Sequence, residues 1–252
     1  LFHPYFYFAK RTIRDVDGIS TMSLGFLNWC LSFANKSKSV NDRVVRLTTL
    51  NSEANISELS SAELWWSELG VNPDGPKVFF TGTFSTAFDF NQIYIAAKSI
   101  NSCQFILCGH GPCLDQVKEL MRDLPNVIFP GWIDRFQMES LANMSLATLA
   151  PYKNVKNFTL NIPNKIVDSL LLGLPILSPL TGEVESLISN RKVGFTYNNN
   201  NPLASCIQSL VDDDKLQNLM SINAKRLYEE EFEFNKVYGG LVDHLEGMVI
   251  KK

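Results

Sequence analysis

The segment Asn161-Ile-Pro-Asn-Lys-Ile-Val-Asp168 holds the densest group of side chains able to act on a charged ligand. The pattern predicts a helix beginning at Asn164, with Lys165 in its first turn and Asp168 about one turn further in. A helix start presents free N–H groups and a positive dipole end to an anion, and Lys165 adds a mobile positive charge. The Asp168 carboxylate can accept from vicinal hydroxyls, as acids that hold a ribose do. A favourable first-turn acid beside a solvated lysine fits the same spacing equally well.

Two glycine turns are further candidates. Gly82–Thr83–Phe84–Ser85 ends an apolar run ahead of a helical pattern, where free backbone N–H groups can hold phosphate. It lacks the second and third glycines of a dinucleotide fingerprint and the Gly-Lys-Ser/Thr of a Walker A loop. An ordinary strand-to-helix turn is therefore an equal reading. Gly109–His110–Gly111–Pro112 is a tight turn for which glycine supplies positive φ, and His110 reads first as a solvent-facing loop residue.

The elements that must carry these turns follow from apolar periodicity. Runs at Lys77–Thr83, Gln104–Cys108, Val127–Phe129, Leu146–Ala150, Pro175–Ser178 and Val193–Tyr197 read as six strands. Helical spacing fills the intervals at Asn91–Ile100, Leu114–Leu124, Arg135–Met144, Asn164–Leu172 and Glu183–Ser189, then Pro202–Val211, Lys215–Glu231 and Phe234–Val249. Strands apolar on both faces and alternating with helices predict a buried parallel sheet in a doubly wound α/β domain, which is Rossmann-like. Ligands in such folds sit beyond the carboxyl ends of the strands. Residues 1–50 repeat the pattern more briefly: helices at Leu1–Arg14 and Leu24–Ala34, strands at Gly18–Met22 and Val44–Leu50. Asn51–Ser61 is polar and linker-like.

Composition narrows the class. The chain has 252 residues, 45% of them hydrophobic, with 17 Phe, enough for a packed core. Net charge is −3, giving no general attraction for nucleic acid. Residues 1–46 hold seven Lys/Arg against three Asp, a local +4 that leaves −7 on the remainder. The longest apolar run, Leu170–Leu177, is broken by Gly173 and Pro175 and is well short of the ~18 residues of a membrane span. No signal-peptide pattern is read. Five scattered cysteines (Cys30, Cys103, Cys108, Cys113, Cys206) predict reduced thiols in a cytosolic protein. No second Cys or His pair accompanies Cys108 and Cys113, so no zinc site is expected.

In order along the chain, FFTGTFS, FILCGHGP, NVIFPGWID, PNKIVDSLLLGLPIL and TGEVESLI…VGF resemble the C-terminal half of a GT-B glycosyltransferase of the retaining family 4, group 1. The agreement runs from Pro76 to about Met248. Residues 13–50 are similar to the end of that family's N-terminal domain. The resemblance implies three regions: a remnant of the N-terminal acceptor domain and linker over 1–60, a nucleotide-sugar-binding domain over 61–220, and helices packing back toward the N-terminal domain over 221–252.

The resemblance also implies transfer of a sugar from a nucleoside-diphosphate sugar to a glycan or lipid-linked acceptor, with retained configuration and no metal or other cofactor. Asp168 takes the place of the second acid of the family's paired-acid motif and would hold the ribose; Leu160 stands where the first acid would be. The family's Arg and Lys after the first strand would fall near Thr83 and Asp89, so Lys165 becomes the candidate catalytic cation. Gly82, Thr83, Phe84, Ser85, Gly109, His110 and Asn164 complete the expected nucleotide and phosphate site, with Ile133 facing the base. Arg135 and Lys156 are further candidate cations. The basic residues in 1–46 fit docking on the inner face of an anionic membrane. A non-catalytic half serving as a sugar-nucleotide-binding partner subunit is the alternative.

Overall fold

A computed structural model describes residues 2–50 and 56–250. Its first elements are α1 (His3–Asp15), β1 (Ser20–Thr21), α2 (Leu24–Ala34) and β2 (Arg43–Val44), with β1 and β2 paired in parallel. The predicted strand over Val44–Leu50 is thus much shorter, because β1 offers only two residues of ladder to pair with. The segment read as linker contains the start of α3 (Ile56–Glu68), while residues 51–55 lie outside those described. Leu59, Ala62 and Trp66 share one face of α3. Trp66 is fully buried, and its indole N–H donates to the Gln137 carbonyl at 2.9 Å. Burying an indole with its N–H satisfied stabilises this helix strongly, in spite of its polar opening.

The main body then alternates: β3 (Lys77–Thr81), α4 (Asn91–Ser99), β4 (Gln104–Cys108), α5 (Leu114–Leu120), β5 (Val127–Gly131), α6 (Arg135–Asn143) and β6 (Ala147–Leu149). It continues with α7 (Lys156–Thr159), α8 (Asn164–Leu171), β7 (Ile176–Ser178), α9 (Glu183–Arg191), β8 (Gly194–Thr196), α10 (Leu203–Asp212) and α11 (Asp214–Leu227). The helix predicted to run on to Glu231 gives way to a π turn over Tyr228–Phe232, followed by α12 (Phe234–Ile250).

The six strands are all parallel, in the order β5-β4-β3-β6-β7-β8. The winding direction reverses between β3 and β6, which opens a crevice at their carboxyl ends. Side chains alternate across the sheet. Val78, Phe80, Phe105 and Leu107 join the larger core, while Phe79, Ile106 and Cys108 face Trp66, Val71 and Leu141.

At that end the strand-exit loops interlock through their backbones. Gly82 N–H donates to the Cys108 carbonyl at 3.0 Å, Gly109 N–H to the Gly131 carbonyl at 2.6 Å, and Phe84 N–H to the His110 carbonyl at 2.8 Å. Gly109 has φ +126°, and a Cβ there would lie 1.9 Å from the Gly82 oxygen. Gly109→Ala should therefore destabilise the chain by about 3 kcal/mol or more, as strain and overlap combine. Urea unfolding checks this; a loss below about 1 kcal/mol means the loops do not depend on this approach.

Candidate functional site

Lys165 reaches back from the first turn of α8 to the end of β3. Its ammonium donates to the Thr81 carbonyl and lies 4.7 Å from the ring centroid of Phe80 and 5.3 Å from that of Phe88. A Cβ on Gly82 would sit 2.0 Å from Nζ, so glycine at 82 is what makes room for the lysine. Burial pushes the ammonium's pKa down to about 8, opposed by the nearby Asp168 carboxylate. The lysine expected as a mobile charge is instead held half-buried at the point where the sheet reverses its winding.

Asp168 follows one turn later. Its Oδ1 accepts from the Thr49 hydroxyl at 2.7 Å, and among the described residues Oδ2 has no hydrogen-bond donor. Burial raises its pKa, while the Thr49 hydroxyl and the Lys165 charge hold the rise in check. Thr49 is fixed in turn, its carbonyl accepting from the Tyr228 hydroxyl at 2.5 Å. Behind the pair, the Ser169 and Thr148 hydroxyls meet at 2.6 Å, tying α8 to β6.

At the glycine turns three of the candidate amides have acceptors within the fold. The amides of Gly82, Phe84 and Gly109 are spent on the neighbouring loops, because parallel strands in register bring their exits into hydrogen-bonding contact. Phe84 is fully buried, its ring stacked on Phe90 at 5.1 Å, so it belongs to the core and has no donor for a phosphate. Thr83 is exposed and Ser85 half-buried, and among the described residues nothing accepts from either amide. Asn164 is exposed at the start of α8, where Pro163 provides no side-chain cap. His110 is exposed on the rim beside Gly131. The Ile133 side chain packs onto the core around Trp66 and Phe79.

The remaining candidates lie apart from Lys165. Arg135 begins α6 with its guanidinium over the Phe136 ring, and it borders a groove of about 500 Å³ shared with Thr49, Lys225 and Tyr228. Lys156 is exposed at the start of α7. Asp89 caps Asn91 through its carboxylate, and Leu160 is engaged through its carbonyl, which accepts from the Ser23 hydroxyl. All five cysteines are free, and among the described residues no group of three or more His, Cys, Asp or Glu converges on a metal position. Thr49 and Tyr228 carried no sequence signal, for they lie 119 and 60 positions from Asp168. What the site offers is one partly desolvated cation, unpaired amides at Thr83 and Ser85, and a carboxylate with one oxygen open. Such a set can hold an anion beside a diol.

The family model for glycosyl transferases group 1 matches residues 75–213. Among solved structures, sucrose-phosphate synthase from Thermosynechococcus elongatus aligns with a TM-score of 0.77 at 14% identity, covering 99% of this chain and 62% of that one. HepE from Anabaena, solved in complex with UDP and glucose, gives 0.76 at 15% identity, covering 96% and 67%. WaaG, a glycosyltransferase involved in lipopolysaccharide biosynthesis, gives 0.64 at 11% identity, covering 88% and 60%. At these identities the likeness is one of fold. No curated protein matches the chain in sequence.

Lys165 also predicts a pH dependence of stability. Its pKa is about 8 in the folded chain against an ordinary 10.5, so between those values the unfolded chain binds more protons. On this group's account stability rises with pH across that window. Buried thiols such as Cys103, Cys108 and Cys206, pushed up by burial, pull the other way above about 9 in both chains, so the effect is read as a difference: urea midpoints of the native chain should gain on those of Lys165→Met as pH rises from about 8 to 10.5.

Proposed function

This chain belongs to the glycosyl transferases of group 1 and has the fold of a GT-B C-terminal half, and from that premise we propose that it binds a nucleoside-diphosphate sugar as glycosyl donor. The sugar passes to a glycan or lipid-linked acceptor with retention of anomeric configuration. The observation that carries this reading is the Lys165 ammonium at the sheet's switch point, one turn from the half-open Asp168 carboxylate. HepE, alike in fold, was solved with UDP and glucose, which supports a nucleoside diphosphate as the ligand class.

When the glycosidic carbon–oxygen bond to the diphosphate breaks, the electron pair and negative charge stay on the leaving phosphate oxygen. Lys165 meets that charge. A preorganised cation in a low-dielectric site stabilises developing charge more than it would in water. The Thr83, Ser85 and Asn164 amides add donors without needing a bound metal. Asp168 Oδ2 accepts from a ribose hydroxyl and so positions the diphosphate against Lys165. The acceptor and any group that removes its proton belong to surfaces outside this half.

Among the described residues no helix is long and apolar enough to cross a membrane. A lipid-linked acceptor at an anionic membrane face is supported by α1, which leaves Tyr5, Tyr7 and Phe8 exposed beside Lys10, Arg11 and Arg14. A binding-only partner subunit is the second reading. Asp89 and Leu160 favour it, since neither supplies the charge expected at its position.

Calorimetry of the chain with UDP, GDP, ADP, CMP and NAD tests the donor reading. One nucleoside diphosphate should bind selectively. Lys165→Ala and Asp168→Ala should each weaken it about ten- to a hundredfold, the value of a charged hydrogen bond. Affinity should also fall as pH rises above about 8, where free Lys165 loses its proton and binding must take one up. Unchanged dissociation constants in both variants would remove these residues from the donor site. Sugar transfer by the full-length protein separates the enzyme from the partner subunit.

A further inference from the structure

We infer that Thr49 is a positioning residue for the Asp168 carboxylate, and that Tyr228 on the π turn holds Thr49 in place. The inference rests on the reading of Asp168 as the acceptor of ribose hydroxyls. A carboxylate on an eight-residue helix can rotate about two side-chain bonds, and a site for a diol needs one fixed orientation. The Thr49 hydroxyl at 2.7 Å takes one oxygen and leaves the other to the ligand.

Thr49 is itself gripped by the π turn. Tyr228 donates to its carbonyl at 2.5 Å, and the Thr48 hydroxyl donates to the Phe232 carbonyl at the other end of the same turn. Arg46 completes the hold, pairing with Glu231 at 2.9 Å and covering the fully buried Phe232 ring. A widened π turn is rare and is concentrated at functional sites. Here it supplies carbonyl and phenol contacts to consecutive residues of the strand-exit segment after β2. That segment, far from Asp168 in sequence, thereby becomes part of the ribose site.

The charged and titratable neighbours of Asp168 are Lys165 on its own helix, Tyr152 after β6 and Tyr228 on the π turn. Both tyrosines are pushed upward by burial and stay neutral through the acid range, and Lys165 stays charged below about 8. Of these three and Asp168, Asp168 is the one that titrates in the acid range; Glu233, which faces Tyr228 at the end of the π turn, is held below the usual carboxylate range by the Asn235 and Lys236 amides. Losing the Thr49 donor favours its protonated form and raises its pKa.

The test has two arms on the intact chain. In the first, carboxyl-carbon NMR follows the titration of Asp168 in the native chain and in Thr49→Val, Thr49→Ser and Tyr228→Phe. Thr49→Val should move the Asp168 pKa up by about 1 unit, the worth of one charged hydrogen bond. Thr49→Ser, which keeps the hydroxyl, should restore it, and Tyr228→Phe should give a smaller shift in the same direction. In the second arm, UDP binding is measured against pH, with melting curves as the check on folding. Thr49→Val should bind UDP several-fold more weakly even where Asp168 is ionised, because the fixed orientation is lost at every pH, and the deficit should widen as pH falls and the variant's Asp168 takes up its proton before the native one does.

An unmoved Asp168 titration in Thr49→Val overturns the inference, and if Asp168→Ala still weakens UDP binding the donor reading survives it. Undiminished UDP binding by Asp168→Ala overturns the donor reading, and with it any ribose role for Thr49. Should Thr49→Val fail to fold, Thr49→Ser and Tyr228→Phe carry the decision: an unshifted titration in Tyr228→Phe and a shifted one in Thr49→Ser contradict the proposed hold.

Discussion

An ammonium group taken out of water must find acceptors or give up its proton, and that constraint organises the carboxyl end of this sheet. Lys165 is held at the exit of β3 by the Thr81 carbonyl, with the faces of Phe80 and Phe88 as its other near neighbours. The arrangement depends on Gly82, since any side chain there would occupy the position of Nζ. Gly82 can take its conformation because the loops after β3, β4 and β5 hydrogen bond to one another. The fold thus spends its loop amides on rigidity and leaves a cation, rather than a cradle of N–H groups, as the main feature of the switch point.

The other end of the same strand supplies a comparison. Lys77 is fully buried, yet its ammonium donates to three carbonyls, Pro73 at 3.1 Å, Gly75 at 2.7 Å and Met144 at 2.8 Å. Each of its three protons has an acceptor, so this lysine is saturated and closes the entrance to β3. Lys165 has one carbonyl among the described residues, and two of its protons remain to be offered. Both lysines lose charge stability to burial, but only one can regain it by binding an anion. Incomplete coordination, rather than burial, is what sets Lys165 apart from Lys77.

What the sequence made legible was local. Both-face apolar runs gave away the six strands, and the Pro-Asn-Lys-Ile-Val-Asp spacing placed Lys165 and Asp168 correctly on α8. The engagement of the Gly82 and Phe84 amides is not legible in sequence because their partners are on β4 and its loop, and pairing between strand exits is set by register that no single run displays. The same holds for Thr49 and Asp168. Their contact is made by the fold, and a Thr-Thr pair in a short apolar run looks like any other strand end. The opening of α3 was hidden by serines and glutamates on its outer face, while its inner face depends on Trp66 finding a carbonyl on α6. The π turn was invisible for a related reason: Tyr-Glu-Glu-Glu-Phe is good helix-forming sequence, and its widening follows from the contacts it makes with Thr48 and Thr49.

Leu160 joins two distant parts of the chain through its backbone. Its carbonyl accepts from the Ser23 hydroxyl, and that hydroxyl also accepts from Phe26 N–H at 3.1 Å as the cap of α2. Glu183 reaches the same helix start, its carboxylate accepting from Gly25 N–H at 2.6 Å. A carboxylate at a helix N-terminus interacts favourably with the dipole as well as with the amide. Gly25 permits the approach, since a Cβ would lie 2.7 Å from the Leu160 oxygen. The first turn of α2 therefore rests directly on the entrance to α8 and the start of α9. An acid at position 160 would bring a second negative charge close to Glu183, where one amide start already has its carboxylate. With leucine there, the two parts of the chain meet through one anion and two hydrogen bonds from α2, a contact that does not oppose itself electrostatically.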